Sequence, residues 1–304
     1  MEKILIIQTR PGIGDLCVFL PPIYTIAEYS KEFELHLLTK KRTCASEFLN
    51  NNKYIKKINY LPDASGLKLN KKILNFLKKE KYEKCFIMHY GIRYFFLSKL
   101  AGIKKIFFYG VFKKNENIVK KSQNILKKWI GKQCIDFDQI LNMNNRVDQI
   151  QQITFGIGGS GQNKKWQILN FIKLAQKINE KKKSIFLLAG GPEEIEDANI
   201  LKEKLKKTDI KTISMCDKKI KDTLVNLSQS KLYIGNDTGF MHLSGCLGVR
   251  SYGLFGDTPP NYASYNKNIF AITPNGSCNI THGSGMMNKM KVDYVFNQIS
   301  NYID

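Results

Sequence analysis

Leu232-Tyr-Ile-Gly-Asn-Asp-Thr-Gly-Phe-Met-His242 joins a strand, a turn and the start of a helix in one short stretch. Leu232–Ile234 is a brief apolar run, the mark of a strand buried on both faces. Gly235-Asn-Asp-Thr-Gly239 stops it and reads as a turn. A helical pattern follows from Gly239 to Leu247, with Thr238 or Asp237 as its cap. The first N–H groups of such a helix, at Thr238, Gly239 and Phe240, lack intrahelical acceptors and favour an anion, phosphate above all. His242 falls on the first turn, beside any anion held there or simply in the packing of the helix.

The same unit recurs in both directions along the chain. Toward the N-terminus, strands are predicted at Ile4–Gln8, Glu34–Thr39, Ile55–Leu61, Lys84–His89 and Ile106–Tyr109, with helical patterns between them. A second series begins at Ile153, with strands ending near Ile157, Leu188, Met215, Ile234, Phe255 and Ile272. Strands alternating with helices predict parallel sheets covered on both faces. The expected fold is α/β: two Rossmann-like, doubly wound domains, residues 1–150 and 151–304, facing a cleft. The stretch from Lys113 to Gln149 is polar and is predicted to hold one helix and the linker.

Length and composition narrow the function classes. A chain of 304 residues with 43% apolar content suits two packed domains. The net charge of +22 invites a nucleic-acid reading, yet only five of the 48 basic residues are Arg. Base-edge readout favours the Arg fork, so specific nucleic-acid binding is not expected. The lysines suit a solvated surface or attraction toward an anionic partner. Seven cysteines stand singly from Cys17 to Cys278, without a CxxC pair. Neither a disulfide framework nor a zinc site is expected, and a reducing, cytoplasmic setting fits. No apolar run is long enough to span a bilayer.

Four further turns carry candidate chemistry. In Arg10-Pro-Gly-Ile-Gly-Asp15, the glycines permit close approach of a ligand. Asp15 can cap the following helix or act as a general base. In Gly156-Ile-Gly-Gly-Ser-Gly-Gln-Asn-Lys-Lys-Trp166, a glycine-rich loop offers N–H groups, and Lys164 or Lys165 a point charge. It lacks the Gly-Lys-Ser/Thr ending of an ATPase loop. In Leu188-Ala-Gly-Gly-Pro-Glu-Glu194, Glu193 and Glu194 either answer the helix dipole or accept ribose hydroxyls. Gly253-Leu-Phe-Gly-Asp-Thr-Pro-Pro260 reads as a plain loop. His36, His89 and His282 are not spaced as metal ligands.

Together these segments resemble glycosyltransferase family 9, the ADP-heptose:lipopolysaccharide heptosyltransferases and their relatives. The matching residues are Lys3-Ile-Leu-Ile-Ile7 with Gly14-Asp15 and Leu20-Pro21, and Gly158–Ser160 with Lys164 and Trp166. They continue with Gly190–Glu194, then Gly235–Gly239 with His242, then Leu254-Phe-Gly256. The resemblance implies a GT-B architecture, with the donor on the C-terminal domain, the acceptor on the N-terminal one, and the last helix free to pack back on the first domain. It implies inverting transfer of a sugar, heptose or similar, without metal or cofactor. The donor is a nucleotide sugar such as ADP-heptose, and the acceptor an anionic glycolipid or surface glycan in lipopolysaccharide biosynthesis. It also leaves room for peripheral contact with the inner membrane surface. Asp15 would be the base and Lys164 the diphosphate contact. Asp237, Thr238, Gly239 and His242 would form the donor turn, with Glu193 or Glu194 at the ribose. The chain departs from the family pattern at Gly256-Asp-Thr-Pro-Pro260, at Met286-Met287 in place of paired cysteines, and over residues 110–150. Two other classes fit less of the sequence. A sugar-nucleotide epimerase of GT-B type would need no acceptor. A polyanion-binding protein would leave the ordered glycine turns without a purpose.

Overall fold

The structure, a computed structural model, describes residues 2–110, 117–142, 151–277 and 279–303. The chain divides into two compact units, Met1–Phe137 and Asp138–Asp304.

The first unit runs β1 (Glu2–Ile7), α1 (Ile13–Glu28), β2 (Phe33–Thr39), α2 (Ala45–Phe48), β3 (Lys57–Tyr60), α3 (Gly66–Glu80), β4 (Lys84–Ile87), α4 (Ile92–Leu100), β5 (Lys105–Phe108) and α5 (Ile118–Ile130). Its strands lie in the order β3-β2-β1-β4-β5, each adjoining pair parallel. β1 is central, and Ile4, Leu5, Ile6 and Ile7 are wholly buried. An unbroken apolar strand is what a parallel sheet covered on both faces requires. The strand order reverses between β1 and β4, so their carboxyl ends flank a crevice of the kind that takes ligands.

The second unit runs β6 (Gln152–Gly156), α6 (Ile168–Lys181), β7 (Ile185–Ala189), α7 (Ile195–Lys206), β8 (Thr212–Ser214), α8 (Ile220–Ser228), β9 (Leu232–Asn236), α9 (Gly239–Cys246), β10 (Arg250–Leu254), β11 (Ile269–Ile272) and α10 (Val292–Ile299). The order β11-β10-β9-β6-β7-β8 is again parallel, with its switch between β6 and β9. α10 lies on α6, and Val295 and Ile299 are buried in this unit's core.

The sequence places the join between domains at 150/151, at the edge of residues 143–150, which lie outside the described residues, as does Cys278. The division between compact units falls earlier, at Phe137/Asp138. The reason is local: the backbone N–H groups of Ile140 and Leu141 both donate to Cys246 O, at 2.9 and 2.8 Å, and both side chains are buried. Residues 138–142 therefore belong with the second unit, although their polarity reads as linker. No helix among the described residues is long and apolar enough to cross a membrane.

Candidate functional site

The second unit's switch point is built on two glycines paired in register, Gly156 at the end of β6 and Gly235 in β9. A methyl group on Gly156 would overlap the hydroxyl of Tyr233, and one on Gly235 would overlap the backbone of Gly156. The absent side chains let Tyr233 pack fully buried beneath the turn, its hydroxyl 3.4 Å from Thr238 Oγ1. Burial pushes that phenol above its ordinary range.

Asn236 ties the two loops together. Its Nδ2 donates to Ile157 O at 3.1 Å and Gly158 O at 2.9 Å, and its Oδ1 accepts from Trp166 N at 3.0 Å. The β6 loop and the β9 turn thus hold one fixed arrangement. Thr238 stands at the N-cap of α9 in extended conformation, but its side chain makes no capping hydrogen bond. It turns toward Tyr233 instead. The first-turn N–H groups of Gly239, Phe240 and Met241 are left for another acceptor, and the helix dipole adds partial positive charge there.

Asp237 lies beside this N-terminus, with its side chain 12% exposed and its Oδ1 3.5 Å from His242 Nε2. Burial alone would raise its carboxyl. The His242 hydrogen bond and charge, the Lys164 charge and a Thr258 hydrogen bond outweigh it, and the group is held below the usual carboxylate range. His242 is itself buried, with Nδ1 3.1 Å from the Tyr265 hydroxyl and the two rings stacked.

The β6 loop presents two adjacent lysines in different situations. Lys165 Nζ pairs with Glu194 Oε1 at 2.8 Å and lies 3.8 Å from Asp197, its side chain 14% exposed. Burial would lower its ammonium, yet the hydrogen bond to Glu194 and the nearby carboxylates raise it on balance. Lys164 makes no ion pair among the described residues and feels Asp237 only through space. Trp166 is an anchor: it is buried, and its Nε1 donates to Met290 O at 2.8 Å. A cavity of about 320 Å³ opens here, lined by Gln162, Lys165, Trp166, Asp197 and Asn288 among others. Glu193 is exposed, whereas Glu194 is buried and also accepts from Gly191 N at 2.7 Å, closing the first turn ahead of α7.

The stretch read as a plain loop, Gly253–Pro260, contributes to this site. Asp257 and Thr258 are buried. Asp257 Oδ1 accepts from Gly285 N at 2.6 Å, and Thr258 hydrogen-bonds Asp237. Gly256 packs so closely on the Met287 backbone that no side chain would fit. Sequence reading passed over Asn236, Thr258 and Tyr265 as site residues. A polar residue ending an apolar strand is the one signal for the first, and nothing local marks the other two.

Asp15 occupies the first unit's crevice, at the carboxyl end of β1. Its Oδ2 accepts from Gly12 N at 3.1 Å and closes the first turn of α1. Its Oδ1 accepts from Arg10 Nε at 2.6 Å, with the Asp15 side chain 22% exposed. It is thus both a cap and an accessible carboxylate. His89, just past β4, lies within reach of this charge pair. Burial above all, with the charges of Arg10 and Lys40, pushes its imidazole down against the pull of Asp15. Among the described residues, no cluster of three His, Cys, Asp or Glu side chains is placed to hold a metal.

Comparison with known proteins bears on the family and the fold. Residues 104–291 match the family model described as glycosyltransferase family 9 (heptosyltransferase). Lipooligosaccharide heptosyltransferase 2 of Campylobacter jejuni is 28% identical over 265 residues, which is 84% of this chain and 81% of that protein. Among solved structures, a family 9 glycosyl transferase from Veillonella parvula superposes with a TM-score of 0.78 at 15% identity, covering 99% of this chain and 97% of that one. E. coli ADP-heptose LPS heptosyltransferase II gives 0.78 at 12% identity, over 99% and 98% of the two chains. An E. coli heptosyltransferase solved with ADP gives 0.76 at 14%, over 99% of each. The fold is therefore GT-B.

Proposed function

The chain belongs to glycosyltransferase family 9, and from that premise we propose that it moves a heptose from ADP-heptose to a lipopolysaccharide-type acceptor, inverting the anomeric centre without a metal ion. The observation that carries the reading is the open N-terminus of α9. Its cap residue, Thr238, leaves the first N–H groups unoccupied, and Lys164, without an ion pair among the described residues, stands near enough to act on Asp237. A departing nucleoside diphosphate needs its growing charge met by fixed dipoles and a cation, and these supply both. Gly239 and Phe240 would donate to the phosphate oxygens, Lys164 would neutralise them, and Glu193 or Glu194 would accept from ribose. Asp15 in the first unit would take the proton from the acceptor hydroxyl as its oxygen attacks the anomeric carbon. The bond from that carbon to the diphosphate oxygen breaks, and its electron pair leaves with ADP. The related E. coli structure solved with ADP-2-deoxy-2-fluoro heptose supports the choice of donor. A lipid-linked acceptor also implies peripheral contact with a membrane surface.

The test is to incubate the purified chain with ADP-heptose and a heptose-deficient lipopolysaccharide, with and without EDTA. Mass spectrometry should show one heptose added in both, and NMR of the product an inverted anomeric configuration. Free sugar or an epimerised donor formed without acceptor, and no added heptose, would refute the reading. So would strict dependence on a divalent ion.

A further inference from the structure

On the reading of the acceptor as a lipid-anchored glycan, we propose that the outer face of α3 and α4 docks on an anionic bilayer. Ile92, Phe96 and Leu100 recur every fourth residue, which puts them on one side of α4. They are 44%, 52% and 64% exposed, while Tyr94, Leu97 and Ser98 take the buried side. Single exposed apolar residues are ordinary, but three in line along a nine-residue helix form a continuous strip. Leu67, at the start of the neighbouring α3, is 86% exposed.

The charge around the strip chooses the occupant. α4 carries Arg93 and Lys99, both exposed, and no acidic residue. The exposed surface of α3 adds Lys68, Lys71 and Lys72, and its one carboxylate, Glu80, is held by Lys3 and Lys57. Protein interfaces are depleted in Lys, whereas interfacial helices pair an apolar strip with Lys-rich flanks that meet anionic headgroups. Each such lysine adds attraction at an anionic leaflet without any need for the planar fork of Arg. The position also fits. α4 begins just beyond the carboxyl end of β4, the edge of the sheet where His89 feels the charge of Asp15. An acceptor anchored in the bilayer beneath α4 would be presented to that edge.

The experiment is vesicle co-sedimentation of the full chain, without donor or acceptor, on phosphatidylcholine alone and with about 30% phosphatidylglycerol. The wild type should bind the anionic vesicles and release them in ~0.5 M salt. Phe96→Ser with Leu100→Ser should weaken binding by about tenfold or more. Leu169→Ser, an equally exposed position on α6, should leave it unchanged. Both altered side chains face solvent, so thermal unfolding should match the wild type. Absence of vesicle binding, an unaltered affinity in the double variant, or an equal loss in the Leu169 variant would overturn the proposal. So would a dimer that the double variant dissolves while vesicle binding persists, since a second copy of the chain would then cover the face. Glycosyl transfer to detergent-dispersed acceptor is measured separately. Its failure would refute the proposed reaction and leave the docking face standing.

Discussion

Replacing Lys164 and Lys165 by Met, one at a time, separates two neighbours that look equivalent in sequence. Lys165 sits in an ion pair of 2.8 Å whose side chains are 14% and 6% exposed. Removing it leaves the Glu194 carboxylate with the Gly191 N–H and a largely dry surround. Loss of one partner from a buried pair costs ~3–5 kcal/mol, and the residual exposure of Lys165 brings this to about 2–4 kcal/mol. At roughly 2–4 °C per kcal/mol for a unit of this size, Tm should fall by about 4–16 °C. Lys164 makes no ion pair among the described residues, so its loss should move stability by no more than ~0.5 kcal/mol. It should instead remove a charge-assisted contact to the diphosphate, worth about 1.5–3 kcal/mol, or ~10–150-fold in Kd for ADP. Differential scanning fluorimetry and titration calorimetry with ADP read the two quantities independently. An unaltered Tm with weakened ADP binding in Lys165→Met, or a large fall in Tm with normal ADP binding in Lys164→Met, would refute the assignment.

Asp15→Asn should lower kcat by about 10²–10⁴-fold, the usual worth of a general base, while ADP-heptose still binds; full activity in this variant would remove Asp15 from the chemistry. Glu80 is held down to about 2, first by its hydrogen bond from Lys57 and then by that from Lys3, against the cost of burial. A depressed carboxyl stabilises above its unfolded value near 4.5 and loses that contribution as pH falls toward 2. With both lysines partly exposed, Glu80→Gln should cost about 1 kcal/mol at pH ~7, and the gap to wild type in urea unfolding should close by pH ~2. A gap that persists in acid would show that packing, not charge, is lost. Gly156→Ala should destabilise by about 3 kcal/mol, because its methyl meets the buried Tyr233 hydroxyl; chemical denaturation with a wild-type midpoint would contradict the packing described.

Much of the fold was legible because parallel strands announce themselves as unbroken apolar runs that end in glycine turns. Ile4–Ile7 and Leu232–Ile234 are buried on both faces, so no polar alternation confuses them. The turn at Gly235–Gly239 was legible for a related reason: a strand that hands its chain to a helix exposes free N–H groups by geometry alone. What stayed hidden depends on distant partners. Nothing local tells Lys164 from Lys165, since the choice is made by Glu194 on another loop. The division between compact units at Phe137 rests on Ile140 and Leu141, which gain their acceptor from Cys246, more than a hundred residues away. The Gly253–Pro260 loop looked featureless because Asp257 and Thr258 find their partners at Gly285 and Asp237. Trp166 read as part of a ligand motif, yet its indole N–H is spent on Met290 O.

In the proposed reaction, a carboxylate beside the helix N-terminus that would hold the diphosphate presents an electrostatic difficulty that the surrounding residues answer. Two unit charges about 4 Å apart repel by up to ~4 kcal/mol even in a moderately polarisable setting, so Asp237 would weaken a diphosphate held on α9. His242 and Thr258 hold the carboxylate in one place from the buried side, and His242 is in turn braced by Tyr265. Lys164 approaches the same carboxylate from the β6 loop. In the proposed reaction this pairing matters before any donor arrives. The attraction of Asp237 keeps an otherwise unpaired lysine near the turn, so the cation need not be recruited as charge develops. The same repulsion would loosen ADP once the sugar has left, favouring turnover over tight product binding. On that reading Asp237 would contribute most through what it does to Lys164 and to the leaving diphosphate, and the α9 N–H groups would supply the attraction that must outweigh it.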